Sequence, residues 1–167
     1  NFQIYYTLLF AFLFFGLLAA PAAWADHQEL FDENFYHDLF HNHGIVMLVI
    51  EPESGAILHA NHAAANFYGY TVNELETMSI QQINTLSPEE IAKERMAALN
   101  EQRNYFIFPH RLASGDVRTV EVASYPISNN EQVLLFSTVT DITERVAMEN
   151  ELLKRQQSNY IMAILAI

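Results

Sequence analysis

Histidines are the residues of this sequence that most directly suggest chemistry, because imidazole binds zinc, copper, nickel and haem iron. Seven are present. Glu33, His37 and His41 are spaced four residues apart, so on a helix they would share one face, as metal ligands do. That face lies about 200° around the helix from the apolar stripe of the same segment. We therefore favour a face turned to solvent or to a partner subunit, with a metal site as the alternative.

Aromatic residues on predicted strands indicate a second kind of chemistry, the binding of a small ligand. A cleft lined by apolar and aromatic side chains with a few polar groups is typical of ligand sites. The alternative is a fully packed core, because Phe and Tyr also fill cores well. His59, on another predicted strand, is explained equally by a hydrogen bond or by exposure. The pocket candidates are Phe67, Tyr68, Phe106, Phe108, His110, Tyr125 and Phe136.

The composition excludes several classes of protein. Cysteine is absent, which excludes disulfides, thiolate zinc sites, thiol catalysis and flavin photochemistry through a cysteine adduct. The net charge is −12 and all eight Lys and Arg lie in residues 93–167, so no nucleic-acid partner is expected. The sequence contains no nucleophile–base set and no Gly-rich phosphate loop. We therefore do not expect an enzyme, and no cofactor is required.

Hydrophobic periodicity and turn residues predict an α+β domain with one antiparallel sheet and helices on one face. A hairpin of two short strands precedes several short helices, each with its own N-cap. A longer helix follows from Pro88 to about Glu101, with Ala92, Met96 and Leu99 on its apolar face. Three longer strands then complete the sheet. The predicted strands are residues 45–50, 56–60, 105–112, 117–127 and 133–140.

The two ends of the chain indicate membranes and partner helices. Residues 1–25 carry no charge, and their apolar run is long enough to cross ~30 Å of hydrocarbon. Small residues around Trp24 predict a cleavable signal peptide, with an uncleaved membrane anchor as the alternative. Residues 26–43 predict an amphipathic helix. The apolar residues 160–167 predict the start of a second transmembrane helix, or an amphipathic tail that docks on the domain.

Three local sequences, in this order, resemble the PAS family. In residues 61–75, Asn-x-Ala-Ala is followed by Tyr-Gly-Tyr and a capped Glu-Leu helix. Residues 111–122 form a predicted hairpin around Ser-Gly-Asp. Residues 141–145 read Asp-Ile-Thr-Glu-Arg, like the ending that joins the last PAS strand to a signalling helix. The resemblance implies a PAS core at 44–141, a five-stranded antiparallel sheet that cups a pocket under short helices, and a signalling or coiled-coil helix at 142–159.

The resemblance also implies a function. PAS domains sense ligands or environmental cues and relay them through the C-terminal helix to an output domain, often a diguanylate cyclase or a histidine kinase. Asp141 and Thr143 match the family residues that tie the last strand to that helix; an ordinary N-cap is the alternative. Family haem sensors often take their iron ligand from the helix before the third strand, which here has no histidine. That absence argues against haem.

We therefore expect the sensory PAS domain of a membrane-anchored signalling protein that acts as a homodimer. Its core is expected in the periplasm, attached to the inner membrane, or alternatively on the cytoplasmic face behind a signal anchor. The rival hypothesis is a ligand-free dimerisation or linker module that sets helix geometry.

Overall fold

The structure is a computed structural model that describes residues 32–129 and 132–165. The predicted signal peptide or anchor at 1–25 lies outside the described residues. Eleven helices and strands occur within these ranges. In chain order they are α1 Glu33–His41, β1 Val46–Ile50, β2 Ile57–Ala60, α2 His62–Tyr68, α3 Val72–Leu75, α4 Ile80–Ile83, α5 Pro88–Leu99, β3 Tyr105–Arg111, β4 Val117–Asn129, β5 Gln132–Asp141 and α6 Thr143–Leu165.

The chain divides into two compact units, residues 1–39 and 40–167. The described part of the first unit is most of α1, which begins where the Asp32 carboxylate accepts a hydrogen bond from the backbone N–H of Phe35 at 2.8 Å. No residue of this helix is buried.

One antiparallel sheet of five strands, in the order β2-β1-β5-β4-β3, forms the second unit with its helices. The α+β class and the single sheet are therefore confirmed. Leu48, Val49 and Ile50 are all buried, as the continuous apolar sequence of β1 predicted. Alternate strand residues such as Val120 and Val122 face the helices and form the core. The helices contribute buried side chains to that core: Ala64, Tyr68, Leu75, Ile80, Ile83, Ile91 and Ala98.

The buried face of α5 differs from the prediction. Met96, expected in the core, is 43% exposed, and the buried residues are Ile91, Arg95 and Ala98. Arg95 is only 8% exposed, because its aliphatic stem packs inward while its guanidinium bonds to the turn between β1 and β2. The predicted face of Ala92, Met96 and Leu99 is therefore displaced by one residue from the buried face of Ile91, Arg95 and Ala98.

The last helix, α6, is continuous from Thr143 to Leu165 and has no buried residue. It runs past the predicted boundary at residue 159 without a break. Within residues 32–129 and 132–165, no helix is long and apolar enough to cross a membrane.

Candidate functional site

Three aromatic rings stack along the helix-covered face of β3. Phe106, Phe108 and His110 are alternate residues of the strand, so their side chains point to the same side of the sheet. The ring centroids of Phe106 and Phe108 are 5.4 Å apart and those of Phe108 and His110 are 6.0 Å apart, with 8° between the ring planes in both pairs. The three rings form one wall of a cavity.

This cavity, of about 40 Å³, lies between the sheet and α5. A drug-sized ligand usually occupies about 300–1,000 Å³, so the cavity holds only a compact group of atoms in this state. Most of the lining is apolar, and the polar members are few. Its lining residues are Leu48, Ile50, Ile80, Ile91, Glu94, Arg95, Ala98, Phe106, Phe108, His110, Val122, Ser124, Leu135, Ser137 and Val139.

Tyr68 and His110 form a buried hydrogen-bonded pair beside the cavity. Tyr68 ends α2, where Gly69 adopts the left-handed conformation with φ of 78° that closes the helix. The Tyr68 hydroxyl lies 2.9 Å from Nδ1 of His110, which is 1% exposed. Burial raises the pKa of Tyr68 and lowers the pKa of His110 to about 4. Both side chains are therefore uncharged at neutral pH.

Two serines provide the other polar atoms on the sheet side of the cavity. Ser124 and Ser137 are cross-strand partners on β4 and β5, and their hydroxyl oxygens are 2.8 Å apart. Both residues are buried. One hydroxyl donates to the other, so each serine oxygen has a partner on this apolar sheet face, while the hydrogen of the accepting hydroxyl is not used by this contact.

The charged side chains that line the cavity are already engaged. Glu94 pairs with Arg103, whose guanidinium carbon also lies 4.8 Å from the ring centroid of Phe106. Arg95 donates from Nε to the carbonyl of Pro52 at 3.0 Å and from Nη2 to the carbonyl of Glu53 at 2.9 Å. Burial lowers the pKa of Arg95, an effect that the nearby Glu51 carboxylate opposes. The charged groups of Glu94 and Arg95 therefore bond to other parts of the protein rather than to the interior of the cavity.

Four of the seven predicted pocket residues come together here. Phe106, Phe108 and His110 line the cavity and Tyr68 supports His110, whereas Phe67 lies beside a separate surface groove. The remaining two, Tyr125 and Phe136, are register partners immediately after and before the inward-facing serines. Since strand side chains alternate, both project from the opposite face of the sheet, where Tyr125 is 42% exposed.

The sequence interpretation missed the two serines and both charged residues of α5. A signal for Ser124 existed, because in a strand with alternating side chains it shares the phase of the apolar residues Val120 and Val122. No comparable signal marks Ser137, since β5 has apolar residues in both phases.

The histidine candidates elsewhere do not assemble into a metal site in the described part of the chain. No group of three His, Asp or Glu side chains there could hold an ion, and this includes Glu33, His37 and His41. His59 is exposed and places Nδ1 3.4 Å from Oε1 of Glu76.

The junction between β5 and α6 is closed by Asp141 and Thr143. The Thr143 hydroxyl donates to the Asp141 carboxylate at 2.6 Å and accepts from the backbone N–H of Thr119 on β4 at 2.9 Å. The same carboxylate oxygen accepts from the backbone N–H of Thr143 at 2.9 Å. One hydroxyl therefore joins the start of the helix to two neighbouring strands.

Two ion pairs lie beside this junction. Nη1 of Arg118 is 3.9 Å from Oδ2 of Asp141, and Nη2 of Arg145 on α6 is 3.1 Å from Oε2 of Glu121 on β4. These side chains are partly exposed, so each pair contributes little stability. They nevertheless add a second connection between the central strands and the first turn of the helix.

Comparison with known proteins agrees with this architecture. Residues 43–144 match the family profile described as PAS domain. Diguanylate cyclase DgcM of Escherichia coli strain K12 is 32% identical over 139 residues, which are 82% of this chain and 33% of DgcM. The chain therefore spans about a third of that relative's length.

Two solved structures share the fold. The PAS domain of an HTR-like protein from Haloarcula marismortui superimposes with a TM-score of 0.62 at 18% identity, covering 73% of this chain and 100% of that one. A PAS domain from a two-component sensor histidine kinase has a TM-score of 0.53 at 22% identity, covering 65% and 94%. The profile match over residues 43–144, more than half of the chain, shows that the chain belongs to the PAS family, whose domains are sensor modules and not catalytic ones.

Proposed function

We propose that this domain senses a small ligand or another cue at the cavity and relays it through α6 to an output domain. The Asp141–Thr143 junction is the observation that carries the proposal. Its hydrogen bonds connect the helix to β4 and β5, the strands that also place Ser124 and Ser137 on the cavity wall. A shift of these strands would therefore re-aim the helix.

The output domain we propose is a diguanylate cyclase, because the relative DgcM is one. A histidine kinase is the alternative, supported by the PAS structure from such a kinase. In both cases α6 would continue towards the output domain and transmit a change in helix position, not a diffusible product.

A double-mutant cycle tests the relay without knowledge of the ligand. The chain is joined in helical register, through α6, to a diguanylate cyclase domain, and formation of cyclic diguanylate is measured. We expect His110→Phe to change the rate at least twofold, and Asp141→Ala to abolish that change. Asp116→Ala, in the exposed β3–β4 turn, is the matched control and should preserve it. An equal effect of His110→Phe in the Asp141→Ala background would show that the junction carries no signal.

Membrane anchoring and a periplasmic core are further parts of the proposal. The uncharged apolar run at 1–25 supports an inner-membrane segment. The absence of Lys and Arg from residues 1–92 supports a periplasmic core, because cytoplasmic flanks of membrane segments are enriched in these residues. Alkaline phosphatase fused after residue 159 should be active, since the enzyme folds only outside the cytoplasm. An inactive fusion made in normal amounts would favour the alternative, a cytoplasmic core behind a signal anchor.

A ligand-free homodimerisation module is the second candidate function. It is favoured by the small cavity and by α6, whose apolar residues Leu152, Leu153 and Tyr160 are all exposed, as expected for a helix that pairs with a second copy. Denaturation with and without extracted cell metabolites separates the two candidates. A ligand binder gains stability as RT ln(1 + [L]/Kd), and a spacer gains none.

A further inference from the structure

One cavity-lining residue, His110, has a buried ring nitrogen that no other residue in the described part of the chain bonds. Nε2 of His110 is buried and has no hydrogen-bond partner among residues 32–129 and 132–165. The other ring nitrogen, Nδ1, is occupied by the Tyr68 hydroxyl. If that hydroxyl donates to Nδ1, its hydrogen is satisfied and the single proton of the neutral ring resides on Nε2. The unused atom is then an N–H donor.

Within residues 32–129 and 132–165, no charged side chain lining the cavity is free to bind an ionised ligand. Glu94 is paired with Arg103, and His110 is neutral because burial lowers the pKa of its ring to about 4. Nη1 of Arg95 has no hydrogen-bond partner among the residues that the structure describes, but this atom lies at the β1–β2 turn, where a Cβ on Gly55 would come within 2.4 Å of it. An ion entering the cavity would lose its hydration and meet no counter-charge.

The size and lining of the cavity restrict the ligand further. Its volume of about 40 Å³ exceeds the ~10–15 Å³ that one water needs, but it is far below the size of a haem or a flavin. The stacked rings of Phe106 and Phe108 provide apolar contact for the remainder of a bound molecule. The two serine hydroxyls share one hydrogen bond, which uses one of their two hydrogens, so the serines present a weaker polar group to a ligand than the buried ring N–H.

We propose that the cavity binds a small uncharged molecule that carries a hydrogen-bond acceptor, such as a carbonyl oxygen, and that His110 Nε2–H is the group that recognises it. This inference rests on the proposed sensor function, since it names the ligand class of the same cavity. Ring contacts bind the apolar part, and the histidine selects the acceptor.

Three molecules of one shape test the proposal: acetone, acetate and isobutene. Each has four heavy atoms around a planar carbon, and they differ in carrying a neutral acceptor, a charge or neither. Each is titrated into the whole chain while ¹⁵N NMR follows the histidine ring nitrogens. We expect acetone to bind at least fivefold more tightly than the other two and to shift the His110 Nε2 signal. His110→Phe should remove the preference for acetone, whereas His59→Phe, on the exposed side of β2, should not.

The outcomes distinguish this inference from the sensor function. Acetate binding as tightly as acetone would overturn the uncharged class. Equal binding of acetone and isobutene with an unmoved Nε2 signal would overturn the role of His110. If none of the three binds but a metabolite extract stabilises the chain, the ligand class is wrong and the sensor function stands. If neither the three molecules nor the extract has an effect, both the proposed ligand class and the proposed sensor function are wrong.

Discussion

Replacing either Tyr68 or His110 alone should lower the free energy of unfolding markedly, whereas replacing both should lower it only slightly. The Tyr68 hydroxyl and Nδ1 of His110 are each other's hydrogen-bond partner, and both residues are buried. Tyr68→Phe leaves Nδ1 buried without a partner, and His110→Phe does the same to the hydroxyl. When both residues are replaced by Phe, two apolar rings meet at this point and no polar atom of the pair is left unsatisfied.

The magnitudes follow from the penalty for an unsatisfied buried group, about 1–3 kcal/mol. We expect Tyr68→Phe to lower the free energy of unfolding by about 2 kcal/mol. His110→Phe should lower it by somewhat less, because it also removes Nε2, which already lacks a partner in the described part of the chain. The double variant should lose no more than about 1 kcal/mol, so the coupling free energy is about 2 kcal/mol.

Urea denaturation of the four chains at pH 7.5 measures this cycle, provided that the denaturant slopes agree. Tyr105→Phe and Tyr125→Phe form the control cycle. Their rings meet edge to face at 6.4 Å and their side chains share a hydrogen bond on the exposed side of the sheet, where water can replace a lost partner, so their coupling should stay below about 0.5 kcal/mol. A double variant of Tyr68 and His110 that loses the sum of the two single effects would refute the assignment of a satisfied hydrogen-bonded pair.

Three further predictions concern pH, the junction and a turn. Burial lowers the pKa of His110 from 6.5 to about 4, so the folded state resists protonation of this ring more than the unfolded state does. The free energy of unfolding should therefore fall by about 3 kcal/mol as the pH is lowered from 6.5 to 4. His110→Phe should lack this part of the pH dependence. Thr143→Val should lower unfolding stability by about 1–2 kcal/mol and speed amide exchange at the start of α6, whereas Thr140→Val, on an exposed side of β5, should do neither. Gly55→Ala should destabilise the chain by at least about 1 kcal/mol more than Gly115→Ala in thermal denaturation. Both glycines have positive φ, but of the two only Gly55 would place the new Cβ against neighbouring side chains. Equal losses of stability in the two variants would contradict this reasoning.

The alternation of side chains along each strand explains which of the predicted pocket residues line the cavity. Phe106, Phe108 and His110 were predicted together and do line one cavity, because a single strand with period two places them on one side. Tyr125 and Phe136 lie on other strands, whose phase relative to β3 depends on the hydrogen-bonded register. A shift of one residue in that register moves every side chain to the opposite face, and local composition does not specify it.

The polar members of the cavity show a different limit. Arg95 belongs to the buried face of α5 only because the carbonyls of Pro52 and Glu53, more than forty residues earlier, accept its hydrogen bonds. Likewise, Tyr68 and His110 are 42 residues apart and become partners only when α2 packs on β3. Helical periodicity treats an arginine as polar and cannot identify a distant partner.

The amino-acid sequence alone determined the order of the helices and strands, their caps and turns, and the family, because these depend on residues close together along the chain. Helix caps, hairpin turns and the Asp141–Thr143 motif are local interactions of this kind. Only the tertiary structure decided the size of the cavity, the buried Tyr68–His110 pair and the unused nitrogen beside it. These depend on which surfaces of distant segments meet, and the free energy of that packing is shared among many weak contacts that no short stretch of sequence records.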